Sequence, residues 1–264
     1  MNAQDWCLRW PVPSAGHPAG PPVPPGGSYP HVPVLVLSGE LDSITTPAEG
    51  ALVTGQLPDA VQVHVANSFR VTADGDTDDC AVGVLRAFVR DPAHGLTPDV
   101  LACTSRVPPV RALAVFPASY RSVSPAVPAA GNEVGSAGRR AAATAALTAA
   151  DLLDRWWNNY DGDGVGLYGG RWSYGGDRVT TFTLHGVRLA PDLAVSGTVV
   201  WGRYSHDVTV RLTVAQVDEH GDPVRGSAVS GVVTGTWDYR AAGAVATLHG
   251  TIGSLALSAS MPAP

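Results

Sequence analysis

The sequence predicts two kinds of fold in one chain, an α/β segment followed by an all-β segment. Three observations carry this. Val34, Leu35, Val36 and Leu37 form a short unbroken apolar run between Pro33 and Gly39, the pattern of a strand buried on both faces of a parallel sheet. A helical stretch and a second Val-rich strand follow within thirty residues. From Gly169 to Met261 the pattern changes to short alternating segments separated by turn residues, the signature of an antiparallel sandwich or barrel.

Composition sets the limits. The 264 residues are 45 % hydrophobic and 15 % charged, enough to bury a core. The net charge is −6 and all 17 basic side chains are Arg, which argues against a nucleic-acid partner. No apolar run reaches the roughly 18 residues of a membrane span, and the N-terminus, MNAQDWCLRWPVP, lacks the basic start and apolar stretch of a signal peptide. Cys7, Cys80 and Cys103 have no zinc-ligand spacing, so no metal and no cofactor is expected. Cys80 and Cys103 flank one helix-plus-loop segment and could pair, leaving Cys7 over; three buried free thiols are the other reading.

Taken in order, residues 1–31 are a Pro/Gly-rich loop that can hold neither helix nor central strand. A strand spans 33–38. Pro47 opens a helix through Leu57, because Pro suits a first helical turn. A second strand covers 61–66, with Val61, Val63 and Val65 on one face and Gln62 and His64 on the other. A second helix runs from about Thr77 to Arg90, with Asp78 and Asp79 near its N-terminus and Val84, Leu85, Phe88 and Val89 towards one side. The α/β domain is thus 32–117. Residues 118–138 read as a linker, and 139–160 as an Ala-rich helix packing through Leu147, Leu153, Trp156, Trp157 and Tyr160. Residues 165–264 form the antiparallel β domain.

LVLSGELDSITTPAEG, the strand VQVHVAN and then NSFRVTADGDTDDC together resemble the C-terminal part of an α/β-hydrolase. More narrowly they are similar to the tripeptidyl aminopeptidase-like serine hydrolases of actinobacteria. The likeness is close over about residues 5–117, and some of these hydrolases carry a β-rich tail. The resemblance implies a Ser nucleophile on a G-x-S-x-G elbow, an Asp after the penultimate core strand and a His after the last. Asp42 falls at the orienting acid. Arg70 occupies the base His position, in N-S-x-H-V-T-like context. A guanidinium with a pKa above about 12 cannot act as a base, and beside Asp42 it is expected to form an ion pair. His64, six residues earlier in a strand, is too far from the loop to replace it.

No G-x-S-x-G occurs. Gly170-Arg171-Trp172-Ser173-Tyr174-Gly175 is off by one residue and lies in the β-rich half. Asn159–Gly164 resembles the start of a calcium loop, but Gly170 stands where a bidentate Glu is needed, so a plain turn is expected. Two parallel strands alone leave an exposed edge and apolar face. The expectation is therefore the C-terminal portion of a longer, exported serine hydrolase or aminopeptidase, inactive as this chain. Its partner would be an upstream hydrolase half, with peptide substrates only if complemented, and its location extracellular. The alternative is a non-catalytic binding or assembly module using the β domain. Trp156, Trp157, Trp172, Trp201 and Trp237 motivate it, although core packing is the better account of them.

Overall fold

The computed structural model describes residues 26–74, 79–111, 116–156 and 162–264. The chain divides into two compact units. The N-terminal unit comprises residues 1–76 and 80–105, and the C-terminal unit residues 77–79 and 106–264.

The N-terminal unit holds strand β1 (Val34–Gly39), helix α1 (Pro47–Gln56), strand β2 (Ala60–Val65), helix α2 (Cys80–Arg90) and the single turn α3 (Pro98–Leu101). β1 and β2 pair in parallel, from Val34 opposite Ala60 to Gly39 opposite Val65. The parallel pairing is the expected one. The burial is not: Val34 to Leu37 are only half-buried, and full burial begins at Ser38 and Gly39. The physical reason is that a two-stranded sheet cannot cover both faces of its own strands. α1 starts where Pro47 predicts it, in a capping box. Thr46 Oγ1 accepts from the Glu49 N–H, and the Glu49 carboxylate accepts from the Thr46 N–H at 2.7 Å. No residue of α1 is fully buried, and Leu52 is 67 % exposed.

α2 buries Cys80, Ala81 and Val84. Leu85 and Val89, expected on the packed side, are exposed, and Phe88 is half-buried. Val84 is buried as expected, and the packed side continues through Ala81 to Cys80, which is bonded to Cys103. Cys7 and Asp78 lie outside the described residues.

The C-terminal unit is a single nine-stranded antiparallel sheet packed on helix α4 (Ser136–Trp156). Its strands are β3 (Val127–Pro128), β4 (Asp163–Val165), β5 (Arg171–Gly175), β6 (Val179–Val187), β7 (Leu193–Gly202), β8 (Asp207–Gln216), β9 (Ser230–Asp238), β10 (Val245–Ile252) and β11 (Leu255–Pro262). From β4 to β11 each strand pairs with the next along the chain, and β3 closes the row beside β11. The period-two pattern is plain in β8, where Val208, Val210, Leu212 and Val214 are buried and the residues between them face outward.

α4 explains the abundance of Ala. Ala141, Ala142, Ala143, Ala145, Ala146, Ala149, Leu152 and Leu153 are all buried, so nearly the whole circumference of the helix is covered. Small side chains let β7, β8, β9, β11 and the Tyr120–Ser122 turn approach the helix closely, at the packing density of an interior. Thr144 and Thr148, also buried, turn their hydroxyls back to the carbonyls of Arg140 and Thr144 at 2.8 Å each. Leu153 and Trp156 pack as expected, whereas Trp157 and Tyr160 lie outside the described residues.

Residues 118–138, expected as a linker, instead belong to this core. Tyr120, Val123, Ala126 and Val134 are buried in it, and β3 lies within the segment. Asp192 fixes the segment by accepting from Ser119 Oγ at 2.5 Å and from the Tyr120 N–H at 2.8 Å. Its Pro, Ser and Gly residues serve tight turns over a packed surface, which composition alone does not separate from a linker.

Candidate functional site

β1 ends at Gly39, and the chain turns at once. The Asp42 N–H donates to the Gly39 carbonyl at 3.1 Å, and the Asp42 carboxylate then organises the next three residues. Oδ1 accepts from the Ile44 and Thr45 N–H groups at 2.9 Å each, and Oδ2 accepts from Thr45 Oγ1 at 2.6 Å. Asp42 is 8 % exposed. The Thr45 hydroxyl, helped by the two N–H groups, holds its carboxyl below the ordinary Asp value, against the opposing effect of burial. Arg70 adds the smallest contribution in the same direction.

The loop after β2 is fastened to this one. Glu40 N–H donates to the Val65 carbonyl, and Leu41 N–H to the Ser68 carbonyl, both at 3.0 Å. Asn67, at φ 52°, donates its N–H to Glu40 Oε2 at 3.1 Å. Gly39 makes the approach possible, since a Cβ there would lie 2.4 Å from the Ser68 carbonyl oxygen. Adjacent parallel strands therefore deliver Asp42 and Arg70 to one end of the sheet, where ligand crevices form in α/β folds.

The expected ion pair is not formed. Among the described residues no carboxylate comes within ion-pairing distance of Arg70, which is exposed. Asp42 instead accepts from the Ile44 and Thr45 N–H groups and from Thr45 Oγ1 in a local turn, which leaves acceptor capacity on its carboxylate. His64 stands on β2 opposite Ser38, exposed and inside the strand. Ser38 Oγ accepts instead from Gln62 Nε2 at 2.8 Å. Ser173 lies mid-strand in β5 of the other unit, a setting unlike a strand-to-helix elbow. Thr45 was missed as the partner of Asp42, although an acid followed three residues on by Thr is a readable turn signal.

Residues 1–98 match the family model described as TAP-like protein. Over these residues the chain is similar to the TAP-like α/β-hydrolases. The match includes β1, the Asp42 turn, β2 and Arg70, and leaves the β-rich unit outside it. No curated protein and no solved structure matches the chain.

Outside the TAP-like segment, the tryptophans that motivated a binding surface are largely interior. Trp172, Trp201 and Trp237 are buried, and Trp156 is half-buried. Trp156 packs edge-on to Trp201 with ring centres 5.6 Å apart, and the Arg203 guanidinium lies over the Trp156 ring, 4.2 Å from its centre. Tyr239, 5.3 Å from Trp201, donates its hydroxyl to Asp154 at 3.2 Å, and burial raises its pKa. Among the described residues no group of three or more His, Cys, Asp or Glu side chains could hold a metal ion. No described helix is long and apolar enough to cross a membrane.

Proposed function

We propose that the TAP-like segment is the acid-bearing portion of a serine-hydrolase site, with Asp42 as the orienting carboxylate, and that this chain does not itself cleave peptides. The observation supporting it is the turn that carries Asp42: a buried carboxylate at the carboxyl end of β1, fastened beside the loop bearing residue 70. A His on that loop would meet an acid able to orient it. The guanidinium of Arg70 offers only donors and cannot take a proton from a nucleophile. The 264 residues contain no G-x-S-x-G elbow. Hydrolysis of N-terminal peptide bonds, the activity the family resemblance implies, would then require a nucleophile and a base from elsewhere.

The purified chain should release no p-nitroaniline from tripeptidyl substrates and no p-nitrophenol from its esters. Turnover that disappears in Asp42→Ala would overturn the proposal of inactivity. The Cys80–Cys103 disulfide supports an extracellular location, since such bonds persist in oxidising compartments.

A second reading is that the β-rich unit is a binding module. The buried tryptophans no longer support it. The outward face of the sheet does, because Thr, Arg and His side chains face outward along β8, β9 and β10.

A further inference from the structure

The outward face of the nine-stranded sheet carries a continuous cross-strand row. Ser173 is opposite Thr183, Thr183 opposite Thr198, Thr198 opposite Arg211, Arg211 opposite Thr234, and Thr234 opposite His249. At about 4.8 Å per strand the row is roughly 24 Å long. A second row beside it places Thr209 opposite Thr236 and Thr236 opposite Thr247.

Between these rows lies an open depression of about 290 Å³. It is lined by Arg211, His249 and the hydroxyl-bearing Thr209, Thr234, Thr236 and Thr247. Arg211 and His249 are exposed. Among the described residues Arg211 has no ion pair and no side-chain hydrogen bond, so its five donors face solvent. Thr236 and Thr247 hold their hydroxyls 3.2 Å apart, and Thr234 Oγ1 donates to the His249 carbonyl at 3.3 Å.

The charge on this face is segregated. The nearest acids on the same strands are Asp207 and Asp238, which border the adjoining depression at the strand ends. Asp207 is four residues from Arg211, about 13 Å along an extended strand. The Asp238 carboxylate is engaged by the Arg240 and Ala241 N–H groups. A chain of net charge −6 thus presents one patch of cationic and hydroxyl side chains with no carboxylate in it.

We propose that this depression binds an acidic polysaccharide. A sugar carboxylate is received by the planar donor fork of Arg211, and the ring hydroxyls run along the Thr rows. The row of roughly 24 Å continues from the depression towards β5 and accommodates neighbouring units of the polymer. The proposal rests on the reading of the β-rich unit as a binding module and gives it a site and a ligand class.

The test is isothermal titration of the full chain with hexagalacturonate, with neutral isomaltohexaose and with a single-stranded oligodeoxynucleotide as comparison ligands. Hexagalacturonate binds, Arg211→Gln weakens it at least ten-fold, Thr234→Val weakens it several-fold, and the two comparison ligands bind at least ten-fold more weakly. Because all the substituted side chains are outward-facing, unchanged thermal melts separate loss of binding from loss of fold. Equal affinity for isomaltohexaose overturns the role of charge, and equal affinity for the oligodeoxynucleotide overturns the assignment to sugar. Binding of hexagalacturonate that Arg211→Gln leaves intact overturns this site while the binding-module reading stands. Binding of neither sugar by the unaltered chain removes both.

Discussion

Asp42 has two roles open to it, and its hydrogen bonds separate them. Both its oxygens are committed to the turn that leads from β1 into α1, so the residue is structural whether or not a base is supplied. The consequence is a pH dependence of known sign. The folded carboxyl titrates below the unfolded value of about 3.9. Its stabilisation is therefore fully present above that value and is lost as pH falls through the folded pKa. Thr45→Val removes the largest cause of the shift. It should lower the melting temperature of the N-terminal unit by a few degrees at pH 7, and the difference from the unaltered chain should vanish towards pH 2. A difference that persists at pH 2 would mean that Thr45 acts by packing alone. The acid was legible in the sequence because its context, G-E-L-D-S, recurs in a known family; its engagement was not. The expected ion pair with Arg70 came from proximity of charges, whereas the nearby Thr45 hydroxyl and two N–H groups bind the carboxylate at far smaller loop-closure cost. Arg70→His is expected to give no esterase turnover, since the sequence has no G-x-S-x-G elbow; p-nitrophenyl acetate hydrolysis checks it.

At the level of elements, α4 shows what periodicity can and cannot reveal. The helix was legible because Ala is the strongest helix former. Its surroundings were not, because a run of Ala reads alike on an exposed helix and on one enclosed by strands. The structure decides: Ala145 and Ala149 have no exposed surface. Ala149→Leu should therefore cost about 1–3 kcal/mol through overpacking, measured by urea unfolding, where an exposed helix would gain or lose little. Asp151 is the exception on this helix, 4 % exposed and paired with Arg155 at 3.1 Å. Burial raises its pKa despite the attraction of Arg155. A raised carboxyl pKa means that the unfolded chain gives up its proton first. Stability therefore falls as pH rises from about 3.9 to the folded value and stays level above it. Asp151→Asn removes that loss, so its melting temperature relative to the unaltered chain should climb between pH 3 and pH 7. A variant less stable at both pH values would show that the Arg155 contact outweighs burial. The strands themselves followed their alternating pattern closely. The short segment 118–138 did not, because turn residues describe backbone shape and carry no record of which side chains, such as Tyr120, they turn inward.

The whole molecule combines two units stabilised by different means. The C-terminal unit has a contiguous core of aliphatic and aromatic side chains around α4. Among its described residues the N-terminal unit buries far less: Val63, Val65, Cys80, Ala81 and Val84 are the main buried apolar side chains, while Ile44, Leu52, Phe69 and Val89 are exposed. A segment with so small a core relies on covalent restraint. The Cys80–Cys103 bond supplies it, joining α2 to the end of the α3 segment across 23 residues. A loop of that size is worth roughly 3 kcal/mol by restriction of the unfolded chain. The two units should then unfold in separate calorimetric transitions, and reduction should act on one alone. Dithiothreitol, or Cys103→Ser, should lower the N-terminal transition by more than about 10 °C, given the few degrees per kcal/mol expected of a unit near 100 residues. The transition of the β-rich unit, whose described residues include no disulfide, should not move. Tryptophan fluorescence weights the second, since five of the seven tryptophans, Trp156, Trp157, Trp172, Trp201 and Trp237, belong to the C-terminal unit. A single transition that shifts as a whole on reduction would show instead that the TAP-like segment and the β-rich unit fold as one cooperative body, and that the small core of the first draws its stability from the second.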